Sequence, residues 1–346
     1  MTWRWLSAVK MACMPSKDRE SLSQHRPRLL HDSLQSTASP RPSSGMRIAI
    51  LDRDPAAPTY PHDLAAHLVA AGAHVQPVIA AQLAVTSFGN STSVTVAGQP
   101  LLADVVLTRA VALLDDLIGP ALSLLEQQGV WICNPPAAAS IARDKVRTAI
   151  ALASSGVRAV PTIGVACAPA RDIERCLTSL NGPLVIKPAV SGGGVGVVKV
   201  PDATAAVLHL ERLSNRLDFT DQELVIASAC HYVVQPFIPA GRDYRVFVID
   251  GQAVAMSQRT ANEKDFRTNG PYALSDQPYW DDEFAALGIQ ATAALGLDYA
   301  GVDVIEVDGR PAVLEVNGWP GYAKTAMITG VDIAGLLAAY LLTGHR

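Results

Sequence analysis

The chain has 346 residues, 49% of them hydrophobic and 17% charged, with a formal net charge of −4 at pH 7. These values are typical of a soluble globular enzyme with enough length for two or three domains. They argue against a membrane-spanning protein, because the nearest apolar candidate, residues 326–342, contains Asp332 and two glycines and is predicted to be a docking helix.

The first 45 residues differ from the rest of the chain. They hold seven Lys and Arg against three Asp and Glu, many Ser and Pro, and no apolar period. This composition predicts a disordered leader, or an upstream start before a true beginning at Met46. The segment lacks the hydrophobic core of a signal peptide. The remainder has a formal charge of about −8, which argues against nucleic-acid binding by the folded part.

Cysteine usage indicates a cytoplasmic protein. The five cysteines show no CxxC spacing and are Cys13, Cys133, Cys167, Cys176 and Cys230. Scattered cysteines of this kind predict reduced thiols instead of a zinc site or a disulfide framework.

The sequence leaves the oligomeric state open, and a homo-oligomer is one of the alternatives.

Residues 46–134 alternate between strand and helix patterns. The predicted elements are a strand at Met46–Asp52, a helix at Tyr60–Ala71, strands at His74–Val78, Val94–Val96 and Asp104–Thr108, a helix at Leu113–Gln128 and a strand at Val130–Cys133. This βαβ alternation predicts a small doubly wound α/β domain. Because the segment has no GxGxxG motif, it is not predicted to bind a dinucleotide.

The next segment combines helices with a lysine-bearing strand. Helices are predicted at residues 137–155, 170–180 and 204–213, and the strand PLVIKP at residues 183–188 holds Lys187 in a buried pattern. A lysine in an apolar strand is costly unless an anion meets it. Four glycines follow at Gly192, Gly193, Gly194 and Gly196. Successive backbone amides in such a loop can cradle phosphate, although the loop could also be an ordinary flexible hairpin.

Two predicted hairpins follow, at residues 243–259 and 302–317. The second has an Asp308-Gly309 turn and carries three polar residues in an apolar pattern, Asp303, Glu315 and Asn317. Carboxylates are rarely buried alone, and hard oxygen ligands suit Mg²⁺. The alternative is that Asp303 caps a turn and Glu315 pairs with an arginine.

Strand parity constrains this metal site. Side chains alternate across a strand, so Glu315 and Asn317 share a face. Asp303 joins that face only if the loop has an odd number of residues. We therefore predict a three-residue loop with Gly309 in the left-handed region.

Several cationic and polar residues precede the acidic residues that are predicted to bind the metal. Arg259 ends the first hairpin, and Arg267 and Asn269 lie in the motif FRTN. Cations and Mg²⁺ around one pocket are what phosphoryl transfer requires, because charge spreads over the moving phosphoryl oxygens. The alternative is a solvated or ion-paired face.

The order of these motifs resembles the ATP-grasp superfamily and, within it, the RimK-type α-L-glutamate ligases. The segments that carry the resemblance are Arg143-Asp144-Lys145, PLVIKP with its glycine loop, VVQPFIPAGRDYRVFVIDG, FRTN, GLDYAGVD and LEVNGWPG. It spans about Met46 to Tyr340. The resemblance implies a mixed α/β and α+β ATP-grasp fold. Its parts would be the N-terminal doubly wound domain (46–134), a lid subdomain with a linking helix (135–233) and a C-terminal antiparallel-sheet catalytic subdomain (234–346).

The resemblance also implies roles for matching residues. ATP phosphates would be held by Lys145 and Lys187 under the glycine lid, while adenine would meet the backbone of Gln235, Pro236 and Phe237. The nucleotide would also contact Asp243 and Thr268. The γ-phosphate and acyl phosphate would be steadied by Arg259, Arg267 and Asn269. Mg²⁺, with Mn²⁺ as the alternative, would be held by Asp303, Glu315 and Asn317.

The chain departs from the family pattern where the acceptor should bind. FRTN is followed by Gly270-Pro271-Tyr272-Ala273-Leu274 where the family usually has Leu-His-Arg-Gly-Gly, and Asn317 is followed by Gly318-Trp319 where the family has small residues. The strand end also has Pro236 where Glu is common, but its carbonyl remains an acceptor. The resemblance therefore implies the family's nucleotide chemistry for this chain, but it does not imply the family's acceptor.

Together these features predict an ATP- and Mg²⁺-dependent carboxylate–amine ligase acting through an acyl phosphate. L-glutamate is the amine that the resemblance favours. The acceptor could be a small cofactor-like molecule, an amino-acid carrier or a protein C-terminus. Two alternatives stay open: a kinase on the same fold, and a nucleotide-binding module without turnover.

Overall fold

The computed structural model describes residues 45–57, 60–109, 117–166, 171–215, 231–261, 265–267 and 275–343. The predicted leader, except Gly45, and two predicted site residues, Thr268 and Asn269, lie outside these ranges. The described strands form four sheets.

The first part of the chain contains a parallel sheet, as the alternation of patterns predicts. Its elements are β1 (Arg47–Asp52), α1 (His62–Ala70), β2 (His74–Ile79), β3 (Leu83–Phe88), β4 (Ser91–Val96), β5 (Gln99–Pro100), β6 (Val105–Thr108), α2 (Ile118–Gln127) and β7 (Trp131–Cys133). The parallel sheet has the order β2-β1-β6-β7, and β3, β4 and β5 form a separate antiparallel sheet. β1 and β6 are buried almost throughout, which is typical of parallel strands covered on both faces.

The single helix predicted over residues 137–155 is wrong. The structure has two helices, α3 (Pro136–Arg143) and α4 (Lys145–Ser154). Asp144 between them is extended, with φ −112° and ψ 115°, and its carboxylate accepts hydrogen bonds from the amides of Val146 and Arg147. Asp is a favoured N-cap because its side chain satisfies amides that the first turn leaves unpaired. The capping energy of Asp144 therefore outweighs the continuous helical pattern.

The second of the three larger sheets, called the second sheet below, lies in the middle of the chain. Its elements are β8 (Ile163–Ala166), α5 (Glu174–Leu177), β9 (Leu184–Pro188), β10 (Val198–Val200), α6 (Ala203–Asn215) and β11 (His231–Pro236). The antiparallel strand order is β10-β9-β11-β8. The helix predicted over residues 170–180 is reduced to α5 with flanking 3₁₀ turns. β11 runs across the predicted boundary between residues 233 and 234, and the division into domains stays a prediction.

The third sheet is the largest. Its elements are β12 (Arg242–Ile249), β13 (Gln252–Thr260), β14 (Ser275–Pro278), α7 (Asp282–Leu295), β15 (Tyr299–Val307), β16 (Arg310–Asn317), α8 (Ala323–Thr329) and α9 (Ile333–Leu342). The strand order is β14-β13-β12-β15-β16, all antiparallel. α7 buries Phe284 and Ala291 against one face, together with Val246 and Val302. On the other face, α9 covers the apolar end.

The β15–β16 turn differs from the prediction. Val307 pairs with Arg310, so the loop has two residues, and the positive φ of Asp308 (53°) and Gly309 (73°) is typical of a type I′ turn. The predicted three-residue loop is therefore wrong. The odd residue is instead Leu314: pairing shifts between Asp303 opposite Glu315 and Val304 opposite Val313. This β-bulge restores the parity, so Asp303 and Glu315 share a face.

The predicted C-terminal docking helix is divided in two. α8 ends at Thr329 and is capped by Gly330, which adopts the left-handed conformation with φ 70°. α9 buries Ile333, Leu337 and Leu341. Within the described ranges, no single helix is long and apolar enough to cross a membrane, although α8 and α9, bent by 120°, would pass that test as a pair by length and composition.

Asn134, directly after β7, connects the first part of the chain to the third sheet. It is fully buried, and its Nδ2 donates to the carbonyls of Tyr299 (2.9 Å) and Gly318 (2.6 Å). Its Oδ1 accepts from the amides of Asp298 (2.7 Å) and Tyr299 (3.0 Å). One amide side chain thus contacts both the start of β15 and the segment after β16. It therefore fixes the two ends of the β15–β16 hairpin, which carries Asp303 and Glu315.

Candidate active site

A cavity with an empty volume of about 880 Å³, counted to its open mouth, lies between the second sheet and the charged end of the third. Most predicted site residues line it: Lys145, Lys187, Gly192, Gly193, Gly194, Gln235, Pro236, Phe237, Asp243, Arg267, Asp303 and Glu315. Gly196, Arg259 and Asn317 lie outside the lining. The sequence therefore identified most of a single cavity from segments far apart in the chain.

Lys187 lies in β9, as predicted, and its ammonium group is directed toward the cavity. Nζ donates to Oε1 of Gln235 at 2.8 Å, and Nε2 of Gln235 donates to Oγ1 of Thr162 at 2.9 Å. Burial lowers the pKa of Lys187 below its usual value of 10.5. A partly buried ammonium held by a neutral amide is a site that an anion would stabilise.

Lys145 lies in the first turn of α4 and bridges two parts of the cavity. Its Nζ donates to the carbonyl of Ser191 at 2.8 Å and lies 3.2 Å from Oε1 of Glu315. One ammonium group thus touches both the start of the glycine loop and a predicted metal ligand.

The position of Lys145 is set by its neighbour Asp144. Oδ2 of Asp144 lies 2.8 Å from Nε2 of His231 on β11. Burial opposes ionisation of Asp144, but the contacts with His231 and the helix amides prevail and hold its pKa below the usual range. Sequence reasoning assigned no role to His231, because nothing in the local pattern indicates its partner 87 residues away.

The glycine loop has a conformation that requires glycine. Gly193, Gly194 and Gly196 have φ of 63°, 73° and 73°, where side chains with a Cβ are strained. Arg267 reaches this loop, since its Nη1 donates to the carbonyl of Gly194 at 2.8 Å. The other edge of the guanidinium pairs with Asp265, which raises the pKa of Arg267. Arg267 therefore joins the loop to the far side of the cavity.

The acids of the third sheet are paired with arginines. Arg259 donates from Nε (2.7 Å) and Nη2 (2.6 Å) to Asp243, and from Nη2 to Oδ1 of Asp303 at 2.9 Å. Asp303 also accepts two bonds from Arg245, including one from Nη2 at 3.0 Å. Burial alone would raise the pKa of Asp303, but the two guanidinium groups hold it below its usual range. Sequence reasoning gave Arg245 no role of its own, although its alternation with Asp243 along β12 places both side chains on one face.

The predicted metal ligands are brought together only in part. Asp303 and Glu315 are direct cross-strand neighbours. Oδ1 of Asn317 instead accepts a hydrogen bond from the backbone amide of Trp319 at 2.9 Å. No group of three His, Cys, Asp or Glu side chains able to hold a metal occurs in the described ranges. Two adjacent carboxylates nevertheless fit Mg²⁺, which commonly binds one or two protein carboxylates together with substrate phosphates.

The cation pairing seen here is also the alternative that the sequence left open. Arginines pair with Asp303, and Lys145 pairs with Glu315. A metal ion would therefore have to compete with these cations for the carboxylate oxygens. Metal binding by these residues stays a prediction.

The predicted adenine region is apolar. Val185, Ile238, Ile305 and Leu314 line the cavity beside Phe237. The Phe237 ring meets Phe266 edge-on at 5.7 Å, and its backbone amide donates to the carbonyl of Pro183 at 2.8 Å. The amide of Phe237 is thus already used within the protein, while an aromatic and aliphatic surface remains for a planar base.

The two departures from the family pattern have different outcomes. Residues 270–274 lie outside the described ranges. Trp319 is buried, and its indole Nε1 donates to Oγ1 of Thr108 at the end of β6 at 2.9 Å. This residue therefore fastens the third sheet to the first and does not line the cavity.

A family model described as RimK-like ATP-grasp domain matches residues 142–341. A protein of Klebsiella pneumoniae (strain 342) named "Probable alpha-L-glutamate ligase" is 35% identical over 229 residues, which cover 64% of this chain and 70% of that protein. The "Ribosomal protein bS6--L-glutamate ligase" of Escherichia fergusonii is 32% identical over 230 residues, with coverages of 64% and 70%.

Among solved structures, a "RimK domain protein ATP-grasp" from Sphaerobacter thermophilus DSM 20745 is similar, with a TM-score of 0.63 and 22% identity. The similarity covers 85% of this chain and 98% of that one. At this identity it shows the fold alone. The predicted ATP-grasp fold is confirmed.

Proposed function

The chain belongs to the RimK-like ATP-grasp family, and on this basis we propose that it is an ATP-dependent carboxylate–amine ligase that acts through an acyl phosphate. The observation that carries the proposal is the single cavity in which Lys145, Lys187 and the glycine loop face Asp303 and Glu315. One wall offers cations and amides to phosphate, and the other offers carboxylates for Mg²⁺.

In the first step, an oxygen of the substrate carboxylate attacks the γ-phosphorus of ATP. The bond between that phosphorus and the bridging oxygen breaks, ADP leaves with the electron pair, and an acyl phosphate forms. Lys145 and Lys187 hold the phosphate oxygens, and Arg259, with Arg267 and Asn269, stabilises the charge that develops on them. Arg245 adds a further cation beside Asp303.

In the second step, the nitrogen of an amine attacks the acyl carbon. The carbon–oxygen bond to phosphate breaks, and inorganic phosphate departs as the amide forms. The nitrogen loses its extra protons to phosphate and solvent. Arg267, through its bond to Gly194, keeps the glycine loop over the reacting groups and so excludes water.

Asp303 and Glu315 are the residues that would hold Mg²⁺, with Asn317 beside them. The ion would neutralise phosphate charge at the transition state. Before it binds, Arg245 and Arg259 keep Asp303 ionised, so the ligand is ready in its charged form.

We propose L-glutamate as the amine, supported by the names of the relatives. The carboxylate belongs to a small molecule, an amino-acid carrier or a protein C-terminus. We also propose the nucleotide contacts at Gln235, Pro236, Phe237, Asp243 and Thr268 that the family resemblance implies.

Isotope transfer tests the proposal. Purified protein is incubated with Mg-ATP, L-glutamate and a panel of acids whose carboxylates carry ¹⁸O. Reaction through an acyl phosphate places one ¹⁸O in the released phosphate, which mass spectrometry detects together with the amide. A phosphorylated product without amide would instead establish a kinase, and binding of ATP without any ADP release across the panel would establish a binding module.

A further inference from the structure

Asp276 belongs to the charged face of the third sheet but has no part in the mechanism above. It lies on β14, the edge strand, directly opposite Arg259 on β13, which is in turn opposite Asp243 on β12. Opposite residues of antiparallel strands point to the same face, with Cβ atoms roughly 5 Å apart. Asp276 is therefore placed next to the arginine that stabilises the acyl phosphate.

Among the described residues, only one oxygen of the Asp276 carboxylate has a partner. Its side chain is only 4% exposed, and Oδ2 lies 2.8 Å from Nζ of Lys324. Oδ1 is buried and has no hydrogen-bond partner among the residues that the structure describes. The neighbouring Arg259 does not fill this gap, because its guanidinium bonds to Asp243 and Asp303 on the opposite side. A buried carboxylate oxygen without a donor is costly, so a donor at this position would stabilise the protein.

Lys324 supplies the complementary charge. It lies in the first turn of α8, seven residues after Asn317, and its side chain is 62% exposed. An ammonium has three donors, and the contact with Asp276 uses one of them. The pair therefore combines a buried acceptor on Asp276 with spare donors on the exposed Lys324. This combination matches a zwitterion, whose ammonium and carboxylate lie one carbon apart.

We propose that Asp276 and Lys324 recognise the amine substrate as a free α-amino acid. Its ammonium would donate to Oδ1 of Asp276 and its α-carboxylate would meet Lys324. This inference rests on the proposed ligase function and adds the residues that select the amine. The inference also explains where Asp276 and Lys324 lie in the fold. An amine bound to Asp276 would lie beside Arg259, which would stabilise the acyl phosphate.

Paired changes in ligand and protein test this assignment. Binding is measured by calorimetry with saturating Mg-AMP-PNP, for L-glutamate and the other common L-amino acids, and for the N-acetyl and α-amide forms of those that bind. The proteins are wild type, Asp276→Asn and Lys324→Met, with nucleotide affinity recorded for each. Asp308→Asn is the matched control, because it removes a carboxylate from the exposed β15–β16 turn and Asn tolerates the positive φ there.

The expected result is a crossed pattern. N-acetylation removes the ammonium and should weaken binding to wild type about tenfold or more, while having little effect on Asp276→Asn. Amidation removes the carboxylate and should weaken binding to wild type but have little effect on Lys324→Met. Nucleotide affinity should be the same in all four proteins, and Asp308→Asn should behave as wild type.

Other outcomes overturn the inference in distinguishable ways. If Asp276→Asn binds amino acids as wild type does, the carboxylate is structural and its free oxygen is filled by water. If wild type binds nucleotide but no amino acid, the amine belongs to another class while the ligase proposal stands. If wild type fails to bind nucleotide, the proposed function itself fails, and this inference with it.

Discussion

The two walls of the cavity carry charge in different ways. On the second sheet, the Lys187 ammonium is held by the neutral amide of Gln235, and burial lowers its pKa. On the third sheet, Arg259 forms three short bonds to two carboxylates. The first wall is electrostatically incomplete without a ligand, whereas the second is already paired.

Under the proposed function, this difference gives the two walls distinct tasks. Phosphate would bind Lys187 without displacing any charged group, so this wall would contribute affinity. Phosphate and metal can use Arg245, Arg259 and Asp303 only by exchanging partners within a buried network, because those charges already satisfy one another. A partner exchange keeps each buried charge compensated, which is the condition for ionised groups in a low-dielectric site. The third-sheet wall would therefore contribute more to the chemical step than to nucleotide affinity.

The largest effect is expected when a carboxylate is removed from the paired wall. Glu315→Gln keeps size and hydrogen-bonding capacity but loses the charge that would hold Mg²⁺. Turnover should fall by about a thousandfold, since metal neutralisation contributes several kcal/mol at a phosphoryl-transfer transition state. Steady-state ADP release measures this effect, and the melting temperature should stay near that of wild type.

Asp308→Asn in the turn of the same hairpin is the control and should retain turnover. A Glu315→Gln protein that unfolds while Asp308→Asn is inactive would place the active site elsewhere.

The next largest effect concerns stability. Arg259→Met leaves Asp243 buried without its bidentate partner and Asp303 with Arg245 alone. Removing one partner of a buried pair typically lowers the free energy of unfolding by about 3–5 kcal/mol. Urea denaturation of the unliganded protein measures the loss. Adding Asp243→Asn should restore part of it, because the two changes remove members of one network. A loss below about 1 kcal/mol would contradict the description of this wall as paired.

Removing a cation from the second-sheet wall should change nucleotide affinity without changing the free energy of unfolding much. Lys187→Met removes a partly buried ammonium, and this relief offsets the cost of leaving Gln235 without its donor. The free energy of unfolding should therefore change by less than about 1 kcal/mol. Nucleotide affinity should drop about tenfold or more, since a charge-assisted contact to phosphate is lost. Calorimetric titration with Mg-AMP-PNP checks the affinity. A large loss of stability would show that Lys187 is already compensated.

The smallest effect is a shift with pH. The Lys187 ammonium must stay protonated to bind phosphate, and its pKa lies below the ordinary 10.5 because of burial. Nucleotide affinity should therefore begin to decline on raising the pH while ordinary lysines are still charged. Lys187→Arg keeps its charge throughout and should abolish this decline. Measuring affinity from about pH 7.5 to 10 tests it, and identical profiles for the two proteins would argue against the shift.

Features set by local patterns could be predicted from the sequence. The turn dipeptide Asp308-Gly309, the apolar strand around Lys187 and the glycine run each depend on neighbouring residues, and each lies where the pattern indicated. The ATP-grasp assignment needed the order of many such motifs and not any one of them. Most of the cavity lining followed from that order.

Features set by partners distant in the chain could not be predicted. The bulge at Leu314 is a pairing irregularity between two strands, and only the register of both reveals it. The break at Asp144 depends on a cap that also pairs with His231, from another sheet. Nothing in the sequence around Asp276 indicated a role, because its cross-strand partner Arg259 becomes its neighbour only through the pairing of β13 with β14. Burial and pairing across such distances leave no local periodicity.

The position of Asn134 also constrains how the molecule is made on the ribosome. Its partners Tyr299 and Gly318 lie 165 and 184 residues further along the chain. At about 5–20 residues per second, roughly 10–40 seconds of synthesis separate this amide from its last partner. Throughout that interval Asn134 lacks these partners, and Lys145 is synthesised long before Glu315. A nascent chain therefore carries the two lysines proposed to bind phosphate well before it has the β15–β16 hairpin, and the proposed active site is complete only after that hairpin has been synthesised.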